Sequence, residues 1–218
     1  MVETRSSVEA VARRAAAAIA AAARDAVHER GRCALAVSGG STPARTFELL
    51  ADEDLPWERV ELFQVDERVA PENDPARNLT QLQRCLLDPL EMLPRLHPMP
   101  VEEGDLDAAA ARYATLLPGR FDLIHLGLGA DGHTASLVPG DPVLEATAAV
   151  AMTGVYQGHR RMTLTRPVID RARRILWVVT GADKADALAR LIAGDTTIVA
   201  GRIARERAMV VCDDGTLG

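Results

Sequence analysis

Five short apolar runs, each followed by glycine or polar residues, constrain the fold of this chain most. They are Cys33–Val37, Val60–Val65, Phe121–Leu126, Ile175–Val179 and Ala208–Cys212. Runs of this length with little polar alternation suit strands covered on both faces, as in a parallel sheet. Helical patterns lie between them. Residues 7–29 carry Val8, Val11, Ala15, Ile19, Ala22 and Ala26 on one stripe, with Gly31 as a stop. A second helix is expected from Pro43, capped by Thr42, through Phe47, Leu49 and Leu50. Others are expected near Asn78–Leu87, over 107–117, and after Gly181 with Leu188, Leu191 and Ile192 inward. This alternation predicts an α/β fold, an open, mostly parallel Rossmann-like sheet with helices on both faces. Right-handed crossovers would gather the loops that follow the strands at one sheet edge, where ligands bind in such folds. Residues 138–160 read as a long ordered or semi-ordered excursion.

The chain has 218 residues, 48% of them hydrophobic and 26% charged. That is enough for one sizeable core, and no repeat or low-complexity linker divides it, so residues 1–218 are expected to form one domain. A formal charge of −6 gives no reason to expect a nucleic-acid partner, although an anionic small molecule can still bind a locally positive pocket. Cys33, Cys85 and Cys212 are too scattered for a disulfide framework or a zinc site, and no metal is expected. Met1–Arg5 leads into a charged, alanine-rich segment, so no signal peptide is evident, and no apolar stretch reaches membrane-spanning length. A cytoplasmic protein without a membrane partner is the expectation. A monomer and a weak homo-oligomer both fit the sequence.

Chemistry concentrates where the apolar runs end. Gly127-Leu-Gly-Ala-Asp-Gly-His-Thr-Ala-Ser136 sets His133 in a glycine-rich turn with Asp131, Thr134 and Ser136 nearby. Imidazole exchanges protons near neutral pH, so the turn suits a general base; a capped turn with a satisfied histidine fits the same pattern. Ser38-Gly-Gly-Ser-Thr-Pro43 can offer backbone donors and the hydroxyls of Ser38, Ser41 and Thr42 to a phosphate at a helix start, Gly39 and Gly40 allowing close approach. It lacks the lysine of a nucleotide phosphate loop. The glycines from Gly127 to Gly132 come too late in the chain for a dinucleotide fingerprint, so no cofactor is expected. Asp66, Glu67 and Arg68, followed by Arg77 and Asn78, can hold sugar hydroxyls and phosphate, or form a surface ion-pair network. Lys184 stands at a helix start that disfavours a cation unless an anion is bound beside it. Arg161 alternates with Met162 on a strand whose polar face meets ligand or water.

Taken together, these motifs closely resemble the 6-phosphogluconolactonase family, and Arg161-Met-Thr-Leu164 and Thr180-Gly-Ala-Asp-Lys184 extend the resemblance over nearly the whole chain. Glucosamine-6-phosphate deaminases share the fold. The resemblance implies hydrolysis of 6-phospho-D-glucono-1,5-lactone, with His133 as base, Asp131 as its orienting group and Gly129 close to the substrate. It also implies a sugar-phosphate cradle from Ser38–Thr42, Asp66–Arg68, Arg77, Asn78, Arg161 and Lys184. The deaminase activity and a noncatalytic sugar-phosphate sensor are the alternatives. Arg77 stands where family members often carry serine, and Val199-Ala200 where they often carry proline-alanine.

Overall fold

The computed structural model describes residues 1–217; the Ser41 side chain, assigned above to the cradle, lies outside the described atoms. The elements run β1 (Val2–Arg5), α1 (Val8–Arg30), β2 (Cys33–Val37), α2 (Ser41–Ala51), β3 (Val60–Gln64), β4 (Asp66–Arg68), α3 (Asn78–Leu82), β5 (Arg95–His97), α4 (Leu106–Leu116), β6 (Leu123–Leu126), β7 (Val150–Met152), β8 (Arg161–Leu164), α5 (Arg166–Ile169), β9 (Ile175–Val179), α6 (Ala185–Ala193), β10 (Ala208–Asp213) and α7 (Asp214–Leu217). Local chemistry sets several boundaries. The Ser7 hydroxyl accepts from Ala10 N–H at the start of α1, and Gly31 closes the helix in the left-handed conformation. The Asp105 carboxylate does for α4 what Ser7 does for α1.

Seven strands form one sheet in the order β1-β10-β9-β6-β2-β3-β5, and every neighbouring pair is parallel. Alternate residues of each central strand face opposite cores. Leu35, Leu62, Leu123 and Val178 join α1 and α2 in one cluster. Ala36, Phe63, Ile124 and Trp177 join α4 and α6 in the other. The α/β expectation therefore holds, with helices on both faces. A small antiparallel sheet, β4-β8-β7, lies on the α4 side; of its strands only β8 was expected from the sequence.

From β2 the chain moves outward through β3 to β5, then returns to place β6 on the other side of β2. The carboxyl ends of β2 and β6 are thus the switch point of the sheet, where loops diverge and leave a crevice. The two glycine-rich motifs follow these two strands.

Some expectations needed adjustment. The first helix buries Ala12, Ala16, Ala20 and Ala23 beyond the expected stripe, while Val8 is exposed. Helix α2 begins at Ser41 with Gly40 as its cap, because the Thr42 hydroxyl is bonded to that of Thr180 (2.7 Å). The segment expected as one helix to Leu87 changes after Leu82 to a wider π-turn, Gln83–Leu87. Ile192 is exposed, although Leu188 and Leu191 are buried. No helix among the described residues is long and apolar enough to cross a membrane.

His125, in β6, is fully buried with neither ring nitrogen hydrogen-bonded, edge-on to Phe47. Burial pushes its pKa down to about 4. A depressed histidine pKa means that the unfolded chain takes up a proton the folded chain refuses. Its contribution is therefore complete above the unfolded pKa near 6.5 and is lost as pH falls toward 4. In chemical denaturation, the wild type should lose roughly 2–3 kcal/mol more stability between pH 7 and pH 4.5 than a His125→Leu variant. Equal losses would remove His125 as a source of acid lability.

Candidate active site

The loops after β2, β3, β6 and β9 enclose a cleft of about 200 Å³. Ser38, Gly39, Gly40 and Thr42 line it from the first loop, Asp66, Arg68 and Asn78 from the second, Gly129 and His133 from the third, and Lys184 from the fourth. Arg161 reaches it from β8. The parallel sheet brings these residues together from distant parts of the sequence.

At one side of the cleft, His133 Nδ1 lies 2.5 Å from Asp131 Oδ1, which also accepts the His133 backbone N–H at 3.1 Å. An ionised carboxylate has no proton to give, so Nδ1–H is the donor and Nε2 is the basic nitrogen. The sequence separation left this contact undecided; the turn makes it direct. Burial works against the Asp131 carboxylate, but bonds from the His133 ring and backbone and from the Tyr156 hydroxyl hold its pKa below the ordinary value. Gly129 supplies the space. A Cβ there would fall 2.0 Å from His133 Nδ1 and 2.6 Å from Asp131 Oδ1, so a side chain would force the pair apart. The Gly129 N–H is not free for a ligand, because it donates to the His133 carbonyl.

The opposite side is cationic. Residues facing each other in the β4–β8 ladder include Arg68 and Arg161. Like charges directly opposite across an antiparallel pair repel. Arg161 is only 4% exposed, and its Nε has no hydrogen-bond partner. Burial pulls its pKa below the ordinary arginine value, against the Asp66 charge and with the Arg68 charge. The hydrogen bonds of all three cations run to neutral oxygens. Arg68 donates to Ala76 O and Asn78 Oδ1, Arg161 to Gln157 Oε1, and Lys184 Nζ to Leu128 O. Such a group is chemically suited to a multiply charged anion. The polar face of β8, which the sequence left open to ligand or water, is buried throughout: Thr163 and Thr165 are 0% exposed.

Asp66 lies between these regions. Ser136 Oγ donates to its Oδ2 (2.5 Å), and Asn78 Nδ2 donates to its backbone oxygen (2.9 Å). Burial raises its pKa despite the Ser136 bond and the nearby Arg161. Gly39 must be small here, since a Cβ would come within 2.1 Å of Asn78 Oδ1.

Two residues expected to contact substrate are turned away from the cleft. Glu67 is fully buried and accepts from Gln64 Nε2 and the backbone N–H groups of Arg68, Asn78 and Leu79, each at 2.8 Å. Its acceptor positions are filled within the protein, two of them by the first turn of α3. Arg77 is turned the same way, pairing with Glu67 (3.3 Å) and with Glu102, and does not line the cleft. The Ser38–Thr42 loop is also less open than expected. Gly40 N–H donates to Gln81 Oε1, Ser38 Oγ to the His125 carbonyl, and Thr42 Oγ1 is bonded to Thr180. Tyr156, Gln157 and Ser136 were not among the expected site residues. Only Ser136 had a sequence signal, as a polar residue at the end of the histidine turn.

Comparison with known proteins identifies the family. The family model described as "Glucosamine-6-phosphate isomerases/6-phosphogluconolactonase" matches residues 6–211. A 6-phosphogluconolactonase of Synechocystis is 38% identical over 179 residues, covering 77% of this chain and 75% of that one. One from Mycobacterium tuberculosis is 36% identical over 228 residues, covering 94% and 91%. The crystal structure of a 6-phosphogluconolactonase from Shewanella baltica superimposes with a TM-score of 0.87 at 26% identity, over 98% of this chain and 97% of that one. By the extent of the family match and the identity to these relatives, the chain belongs to the glucosamine-6-phosphate isomerase/6-phosphogluconolactonase family.

Proposed function

We propose that the protein hydrolyses 6-phospho-D-glucono-1,5-lactone to 6-phospho-D-gluconate, the lactonase step of the oxidative pentose phosphate pathway. The observation that carries this reading is a carboxylate-paired histidine in the same cleft as three cations bonded only to neutral oxygens. The phosphate of the substrate meets Arg161, Lys184 and Arg68, and the lactone carbonyl lies toward His133. His133 Nε2 takes a proton from water as the water oxygen attacks the carbonyl carbon. The tetrahedral oxyanion collapses, the bond to the ring oxygen breaks, and that oxygen takes the proton held on His133 Nε2 to become the free hydroxyl, which returns the imidazole to its neutral form. Asp131 holds the imidazole tautomer and stabilises its transient positive charge. No covalent acyl intermediate is needed, because the lactone is already an activated ester. Asp66 and Asn78 stand where sugar hydroxyls would pass.

Identity to relatives named for the lactonase favours hydrolysis over the deaminase chemistry of the same family. Purified protein should release acid from the phosphorylated lactone faster than the enzyme-free control and release no ammonia from glucosamine 6-phosphate. Ammonia release without lactone turnover would replace the lactonase with the deaminase. Tight binding of 6-phosphogluconate without either reaction would identify a sensor. We place the activity in the cytoplasm: the three cysteines are free thiols, Cys33 and Cys212 buried, as suits a reducing compartment.

A further inference from the structure

The segment between β7 and β8 ends in a tight hairpin. Tyr156 and His159 exchange backbone hydrogen bonds at 2.9 and 3.2 Å around Gln157 and Gly158. Both central residues have positive φ, 49° and 84°. That pair of left-handed residues is what a two-residue hairpin turn requires, and it matches the twist of the flanking chain. The turn is tied to β8, because Thr153 N–H donates to the Arg161 carbonyl (2.8 Å) and Arg161 N–H to Thr153 Oγ1 (3.1 Å). A hairpin held in this way presents the Tyr156 side chain in a defined direction.

Tyr156 touches both halves of the site. Its hydroxyl donates to Asp131 Oδ2 at 3.2 Å, the carboxylate oxygen not bonded to His133. Its ring meets the His133 ring at 5.4 Å and 67°, in the edge-to-face arrangement favoured by aromatic quadrupoles. The Arg161 guanidinium carbon lies 5.1 Å from the same ring centroid. Asp131 is 41% exposed at its side chain, so water competes for its orientation. The His133 ring and backbone both hold Oδ1, and Tyr156 adds the one donor on Oδ2, so the carboxylate is held at both oxygens.

We propose that Tyr156 is a positioning residue that fixes the Asp131–His133 pair and the Arg161 guanidinium relative to each other. The inference rests on the reading of His133 as the base and Arg161 as an anion contact. Its two functions separate by atom: the hydroxyl serves Asp131, and the ring serves Arg161.

Two variants and two kinds of measurement test it. Tyr156→Phe keeps the ring and removes only the hydroxyl. It should lower kcat about three- to tenfold with KM unchanged, because one hydrogen bond to a charged group is lost. The loss should be equal for the phosphorylated lactone and its nonphosphorylated counterpart. Tyr156→Leu should show the same kcat loss and also raise KM about threefold or more, for the phosphorylated lactone alone. Independently of turnover, the Nδ1–H resonance of His133 in ¹⁵N-histidine-labelled protein, assigned with His133→Gln, should weaken or move upfield in Tyr156→Phe. If wild type and Tyr156→Phe agree in kcat and in that resonance, the proposal is overturned. If the wild type does not hydrolyse the lactone, the functional reading falls by itself, and the resonance alone decides whether Tyr156 positions the pair.

Discussion

Replacing His133 with alanine should slow lactone hydrolysis by roughly 10²–10⁴-fold, the usual contribution of a general base, while leaving product affinity close to that of wild type. The asymmetry follows from the layout of the cleft. His133 and Asp131 lie on the loop after β6, whereas the cationic side chains come from β4, β8 and the start of α6. Removing the imidazole therefore leaves the anion contacts in place. Stopped-flow rates corrected for spontaneous hydrolysis, together with calorimetric titration of 6-phosphogluconate, read the two halves separately. Near-normal turnover by a folded His133→Ala protein would exclude it as the base. Loss of both turnover and product binding would show instead that His133 holds the turn together.

Arg161→Met should give the opposite pattern. The variant keeps most of the apolar stem and removes a guanidinium that is 4% exposed and lacks a carboxylate partner in the hydrogen-bond network. Charge-assisted bonds of this kind contribute about 1.5–3 kcal/mol, so kcat/KM for the phosphorylated lactone should fall roughly 10- to 100-fold. The fall should be much smaller for the nonphosphorylated lactone. Lys184→Ala should follow the same rule, since its ammonium donates to a single backbone carbonyl. Equal fractional losses on both substrates would assign these residues to folding or to sugar contacts. Melting curves recorded alongside would identify the first alternative. Because Arg68 lies opposite Arg161, Arg161→Met also removes a like-charge contact, and the variant can gain stability even as it loses activity.

The parts of this structure that were legible in sequence are those whose physics is local. Strands β2, β6 and β9 are covered on both faces, so β2 and β9 read as unbroken apolar runs and β6 as one interrupted only by His125; the cap at Ser7 and the stop at Gly31 mark α1 without reference to anything distant. Strands β1, β5 and β7 have only three or four residues each, too few for a periodic pattern, and exist as strands because a neighbour pairs with them. The site divides along the same line. Motifs that follow strands were visible because this architecture puts strand ends together. The facing of Arg68 and Arg161 needs a register that residue types do not encode. The inward turn of Glu67 and Arg77 was illegible for a related reason. Acidic and basic residues are usually exposed, and the first turn of α3, the Arg68 N–H, the Gln64 amide and the Arg77–Glu67 pair make burial tolerable here. Tyr156 lay in a segment read as an excursion, and its direction is set by a turn pinned to β8.

One edge pairing of the large sheet joins Val2 to Val210 and Arg5 to Asp213, strands far apart in sequence. During synthesis β1 leaves the ribosome long before β10, the strand it needs. Until then its backbone groups have only water as a partner, and the sheet carries an open edge of the kind that attracts other chains. The cleft loops, from Ser38 to Lys184, all precede β10, so the elements of the site are translated before the sheet can be closed. A chain lacking everything from Ala208 onward would therefore hold every cleft residue while leaving the apolar strand β9 at the sheet edge, and it is in this state that a chaperone would have most to protect.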